Sequence, residues 1–308
     1  MIELDQFYQM LDLQLSTLVY LAIGVFAYRK HMITDNNRNQ LISFILNVLM
    51  PALVFNSFKA VTPEILKTGL WAFVGSSLIY SFYAVIGRFA YRDIAESKRK
   101  VLDYATLVNN AGLAGQPLSL SMYGNVGALY ASIFLVPHRI FMWSLGLKIL
   151  DDDQSEKTGP STLSKLLRNP SIIAVFFGLA RGLLQINLPS FLDRSIVTMA
   201  SIVSPFSRII IGSIIATISI DSLFEKGVLR YTIIRLFLIP LSVLSISKFI
   251  GLDETLIGVF TIMSSMPAGT TTALLAADYN LDEAFASKIV FVTTILSVIT
   301  VPIIMLFL

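Results

Sequence analysis

Residues 103–118 read Asp103-Tyr104-Ala105-Thr106-Leu107-Val108-Asn109-Asn110-Ala111-Gly112-Leu113-Ala114-Gly115-Gln116-Pro117-Leu118. Two amides, two glycines and a proline fall inside one apolar stretch. Proline removes an N–H and its ring crowds the preceding turn. Glycine admits unusual dihedrals and lets another backbone come close. In hydrocarbon, peptide groups freed in this way must be buried in protein or line a watery cavity. The stretch therefore predicts a helix interrupted at mid-membrane. A second stretch has the same character: Met263-Ser264-Ser265-Met266-Pro267-Ala268-Gly269-Thr270-Thr271-Thr272. Its hydroxyls can satisfy loosened carbonyls or meet a ligand. Two interrupted spans in corresponding positions of two halves point to a midplane substrate site. The competing reading is a pair of ordinary kinked helices packed through small residues. If the spans unwind and cross, half-helix N-termini with free N–H donors face the membrane centre, an arrangement suited to a carboxylate.

The rest of the chain supports a bilayer setting. Of its 308 residues, 55% are hydrophobic and 14% charged, and the mean hydropathy is +0.74. Soluble domains carry about 25% charged residues, so a water-soluble globule and a disordered chain are excluded. The aqueous stretches are too short for a large soluble catalytic domain. Cysteine is absent and histidine is limited to His31 and His138, which excludes thiolate chemistry and leaves little for a zinc or haem site. No metal, cofactor or nucleic acid is implied. Glu3 and Asp5 stand where a signal peptide would be basic, so no cleavable leader is expected.

A bilayer core needs about 20 apolar residues per helix. Ten spans are expected, near 10–28, 39–58, 66–90, 101–122, 126–149, 170–186, 194–218, 229–250, 254–277 and 284–308. A polar run, Asp151 to Pro160, reads as a solvated linker within 151–169 between two units, 1–150 and 170–308. Its three aspartates lack the glycine turn and distal glutamate of a calcium loop. Lys and Arg counts set orientation. Fifteen, from Arg29 through Arg230 and Arg235, fall in alternate loops, against five (Lys59, Lys67, Arg181, Arg194, Lys248) in the others. The first set is assigned to the cytoplasm and both termini to the non-cytoplasmic side.

The two units align. A shift of 154 places Leu21-Ala22-Ile23-Gly24 on Val175-Phe176-Phe177-Gly178 and Pro51 on Pro205; a shift of 155 places Ala131-Ser132 on Ala286-Ser287. An odd number of spans per unit forces opposite orientations, giving an all-α membrane protein built as a 5+5 inverted repeat.

Pro137-His138-Arg139 and Arg208 fall within the fifth and seventh spans. A charge at that depth costs ~2.5–3.5 kcal/mol on insertion scales and usually has a role. An anionic substrate would supply a counter-ion through bidentate bonds; backbone carbonyls freed at the breaks are the alternative. His138 is a candidate for a coupling proton, although Arg139 beside it opposes protonation. Asn47, one turn before Pro51, either lines the cavity or bonds a neighbouring helix.

These motifs resemble the auxin efflux carrier family of membrane transporters, which includes bacterial malate and malonate permeases and plant PIN carriers. Asn110, Gly112, Gly115 and Pro117 match its Asn-x-Gly-x-x-Gly-x-Pro crossover. Met266-Pro267-Ala268, with Leu275-Ala276 and Tyr279, match its second crossover, and Thr293 to Pro302 resembles its last span. Gln116 departs from a usual apolar residue, and Ser264 and Ser265 stand where members can carry asparagine. The resemblance implies two broken crossover helices in a sodium/bile-acid transporter-like fold. Spans 1, 2, 6 and 7 would form a scaffold that dimerises; spans 3–5 and 8–10 would form a moving transport unit.

The function expected is alternating-access secondary transport of small organic anions (malate, malonate or auxin-like acids). The expected substrate contacts are Asn109, Asn110, Gly112, Gly115, Pro117, Pro267, Ala268, Gly269, Thr270 and Thr271 at the breaks, with Asn47, Arg139 and Arg208. A channel or a sensor that binds an anion without moving it is the alternative. An intramembrane enzyme is disfavoured: there is no His-Glu-x-x-His motif and no cysteine.

Overall fold

A computed structural model describes residues 2–60, 63–150, 168–216, 225–269 and 271–308. The linker expected at 151–169 lies almost wholly outside these residues. The described chain is helical: α1 (Ile2–Arg29), α2 (Asp35–Ser57), α3 (Pro63–Ala90), α4 (Glu96–Leu107), α5 (Ala111–Leu150), α6 (Pro170–Leu183), α7 (Ser190–Ile215), α8 (Gly227–Ile250), α9 (Glu254–Ser264), α10 (Thr271–Asp278) and α11 (Glu283–Met305). Six helices are long and apolar enough to cross a bilayer; segments of α1, α6 and α9 are apolar but shorter. The long α5 turns sharply at Gly124, whose φ of 59° and ψ of −149° leave the helical region. Only glycine takes that conformation without steric cost.

Prolines shape three of the long helices. Pro51, Pro117 and Pro240 each stand two residues after a π-helical turn: Ile45–Leu49, Ala111–Gly115 and Ile234–Leu238. A proline ring collides with the carbonyl four residues before it. In each case that carbonyl belongs to the π-turn, where wider i→i+5 winding relieves the collision.

Helices α1 and α7 pack almost backbone to backbone. A Cβ on Gly24 would lie 2.0 Å from the Ile209 carbonyl oxygen, and one on Gly212 would lie 2.2 Å from that of Leu21. The largest core cluster joins α3, α5 and α9 through Tyr80, Tyr83, Phe134 and Phe260. Ion pairs tie helix ends at both faces. Lys98 pairs with Glu225 and sits 3.8 Å from Asp282, and Arg230 pairs with Asp93. At the other end, Asp193 accepts from Lys59 at 2.6 Å and from Arg181 at 2.8 Å. Both cations hold the Asp193 carboxyl below its ordinary range.

Candidate functional site

Helix α4 ends at Leu107 and α9 at Ser264, and each chain then runs briefly in non-helical conformation. The first break is Val108-Asn109-Asn110; the second runs from Ser265 to Gly269. The helix therefore breaks just before the Gly112, Gly115 and Pro117 cluster, not at it. Those three residues belong to the helix that follows, with Asn110 at its N-cap position.

The two breaks pair with each other. Asn110 N donates to Pro267 O at 2.8 Å, and Gly269 N donates to Val108 O at 3.1 Å. This forms a single antiparallel bridge between Asn109 and Ala268. The Asn109 side chain donates to Met263 O at 2.6 Å, and Ala268 N donates to the Thr293 hydroxyl at 3.2 Å. Peptide groups released by the breaks are thus satisfied largely by each other, as a low-dielectric setting demands.

The C-terminal ends of α4 and α9 share a single cation, Arg235. Its side chain is fully buried. It donates to Met266 O (2.9 Å), Thr106 O (3.2 Å) and Ser264 O (2.9 Å), and its guanidinium lies 4.7 Å from the Tyr83 ring centroid. Arg235 sits on the π-turn of α8, inside the helix. Its assignment to a cytoplasmic loop is corrected here. Fourteen basic residues against five remain, so the loop asymmetry survives. Guanidinium, with five donors in a fixed plane, suits three carbonyls converging from two segments of the chain. It also opposes the partial negative charge of both helix ends.

The N-terminal side of the breaks is different. The N–H groups of Ala111, Gly112 and Leu113 donate to no acceptor among the described residues. Gly112 and Leu113 border a cavity of about 460 Å³. Its lining brings together Asn47, Asn109, Asn110, Gly112, His138, Arg139, Gly269 and Thr271. A Cβ on Gly112 would lie 3.9 Å from an Arg139 terminal nitrogen. Arg139 makes no ion pair and no hydrogen bond among the described residues. Asn47 donates along its own helix to Ser43 O at 2.9 Å and presents its side chain at the cavity wall. His138 Nδ1 bonds the Tyr80 hydroxyl at 2.9 Å within the aromatic cluster.

The remaining expected residues lie elsewhere. Arg208 and Pro267 border a separate cavity of about 70 Å³, which Asn110 also touches. Gly115 faces Met263 and Met266, and Ala268 is fully buried in the bridge. Pro117 is buried at the start of the α-helical part of α5. Thr270 lies outside the described residues.

A multi-pass helical membrane protein with a cavity built beside paired helix breaks has the form of a transporter. The chain belongs to the membrane transport protein family, whose model matches residues 10–305, and this is the auxin efflux carrier grouping. It is 22% identical over 303 residues to "Uncharacterized transporter MJ1031" of Methanocaldococcus jannaschii, covering 94% of this chain and 96% of that one. It is 24% identical over 298 residues to an "Uncharacterized transporter" of Methanothermobacter thermautotrophicus, covering 94% and 95%. It is 23% identical over 270 residues to the "Putative malonate transporter" of Rhizobium meliloti, covering 84% and 83%.

Proposed function

We propose that this protein is a secondary transporter that moves small organic anions (carboxylates of the malonate and malate kind, or auxin-like acids) across the cell membrane by alternating access. The observation that carries this reading is Arg139. It is a guanidinium without a protein counter-ion, beside the free N–H groups of Gly112 and Leu113 at the start of a helix, in a cavity large enough for a dicarboxylate. A carboxylate there would gain charge-assisted bonds from the side chain and bonds from the helix N-terminus. The malonate named for the Rhizobium relative belongs to that chemical class.

In this reading, ten spans form two inverted five-helix units. The paired breaks are crossover helices, α3–α5 and α8–α11 supply the moving unit, and α1, α2, α6 and α7 form a scaffold through which two copies associate. Both termini lie outside. The cavity wall includes the start of α2 and the C-terminal part of α5. Both adjoin the basic loops, which supports reading the cavity as facing the side that the basic loops occupy. Uptake independent of sodium is expected, because Arg235 already holds the carbonyls at both helix ends that a coupling cation would seek.

The test is uptake of radiolabelled malonate, malate and indole-acetate by proteoliposomes. Arg139→Ala is expected to lower uptake of the transported acid about 10- to 100-fold, the equivalent of a charged hydrogen bond worth ~1.5–3 kcal/mol. Asn110→Ala is expected to lower it less. Equal uptake by the variants and the wild type defeats the site assignment, and single-channel currents would favour a pore.

A further inference from the structure

Arg208 occupies the middle of α7 and is 9% exposed. It donates no hydrogen bond and meets no carboxylate among the described residues. The Tyr20 ring centroid, 6.0 Å away, is its recorded π partner. Burying a lone guanidinium within a membrane costs free energy unless something pairs with it.

The cavity beside Arg208 shows what that partner would meet. Its walls include Asn110 and Pro267 from the breaks and Thr294 and Ser297 from α11. Asn110 is 5% exposed, and its side chain makes no cap bond to the helix that it starts. Thr294 and Ser297 send their hydroxyl protons to Val290 O at 2.6 Å and Thr294 O at 2.7 Å. Two donors without a protein partner, one cationic and one amide, thus border a single space with no acid on its wall. A volume of about 70 Å³ admits a carboxylate group, since one water takes up about 30 Å³ of liquid.

We propose that Arg208 and Asn110 form a second anion-binding position, for one carboxylate group, across the paired breaks from the Arg139 cavity. The proposal rests on the reading of the chain as an organic-anion carrier and adds a second locus to it. Asn110 borders both cavities, so it is the shared element between them. A shift of 155 residues places Thr294 on Arg139. The second half thus carries a hydroxyl where the first carries a cation, and its positive charge comes from α7 instead. One arginine then rides on the moving unit and the other stays with the scaffold, which gives a carried anion a receiving charge on each side.

Equilibrium dialysis of the detergent-solubilised full chain against [14C]malonate tests this. The expected result is two malonates per chain for the wild type and one for both Arg208→Gln and Arg139→Gln. Each variant must elute as a single species on size exclusion. Thr294→Val leaves both arginines in place and is expected to leave both constants unchanged, because the Thr294 hydroxyl already gives its proton to Val290 O and has none for an anion. One malonate per chain in the wild type, with Arg208→Gln indistinguishable from it, overturns the second position while leaving the first intact. No malonate bound to the wild type overturns the carrier reading as well. Chloride binding that depends on Arg208, with malonate stoichiometry unchanged, overturns the carboxylate assignment.

Discussion

The two ends of the paired breaks are treated in opposite ways. At the C-terminal ends of α4 and α9, three carbonyls are closed off by Arg235, a cation belonging to the protein. At the N-terminal end of α5, the N–H groups remain open and Arg139 beside them has no anion. The same helix-dipole physics acts at both places. The negative ends are neutralised permanently, so they hold the fold. The positive end is left open, and in the proposed reading it is the end that meets the cargo. In that reading an arginine is structural or functional according to which helix end it faces.

The largest effect expected from disturbing this contrast is at Arg235. Arg235→Ala strands three carbonyls in a dry interior at about 1–3 kcal/mol each, so no monodisperse protein should survive purification. Arg235→Lys keeps the charge but offers a point donor in place of a planar fork. Its thermal midpoint in detergent should fall well below that of Arg139→Gln, whose removal leaves no protein group unpaired. Equal midpoints for the two would erase the distinction.

Next in size is the scaffold contact, which should be indifferent to the cavity. Gly24→Ala forces a methyl group into the Ile209 carbonyl, 2.0 Å away. Backbone must move, at a cost of about 1–3 kcal/mol. A lowered midpoint with unchanged malonate affinity is expected; unchanged stability would show that α1 and α7 do not pack this closely.

The smallest effect concerns the ion pairs at the helix ends. The Asp193 carboxyl is held below its ordinary value by Lys59 and Arg181. A group depressed in the folded state contributes stability above its unfolded pKa of about 3.9 and loses it as the pH falls through the folded value. Asp193→Asn should therefore differ slightly from wild type in thermal midpoint at pH 7 and converge with it below about pH 4. A difference that persists in acid would assign the residue another role.

The sequence made some of this contrast legible. Asn109, Asn110, Gly112, Gly115 and Pro117, like Pro267 and Gly269, are residues that disturb a helix locally, so the breaks could be read from local chemistry. The exact break point was less legible. Gly112 and Pro117 are compatible with a helix once a π-turn precedes the proline, and the chain opens at Val108 instead. Arg139 stood out as a charge in an apolar run. Arg235 did not, because Lys226 and Arg230 lie just before it and made the region resemble a loop end. Its role depends on Thr106, Ser264 and Met266, which are distant in sequence. The available signal was Pro240, placed five residues after Arg235 as Pro51 and Pro117 are placed after their own π-turns.

The most direct measurement is the thermal midpoint of the purified protein in malonate and in malonamide, its uncharged counterpart. A ligand that binds the folded state raises the midpoint. Malonate should raise it in the wild type, malonamide should not, and Arg139→Gln should abolish the response. An equal rise with malonamide, or an undiminished rise in Arg139→Gln, would contradict an anion held by that guanidinium at the open helix end.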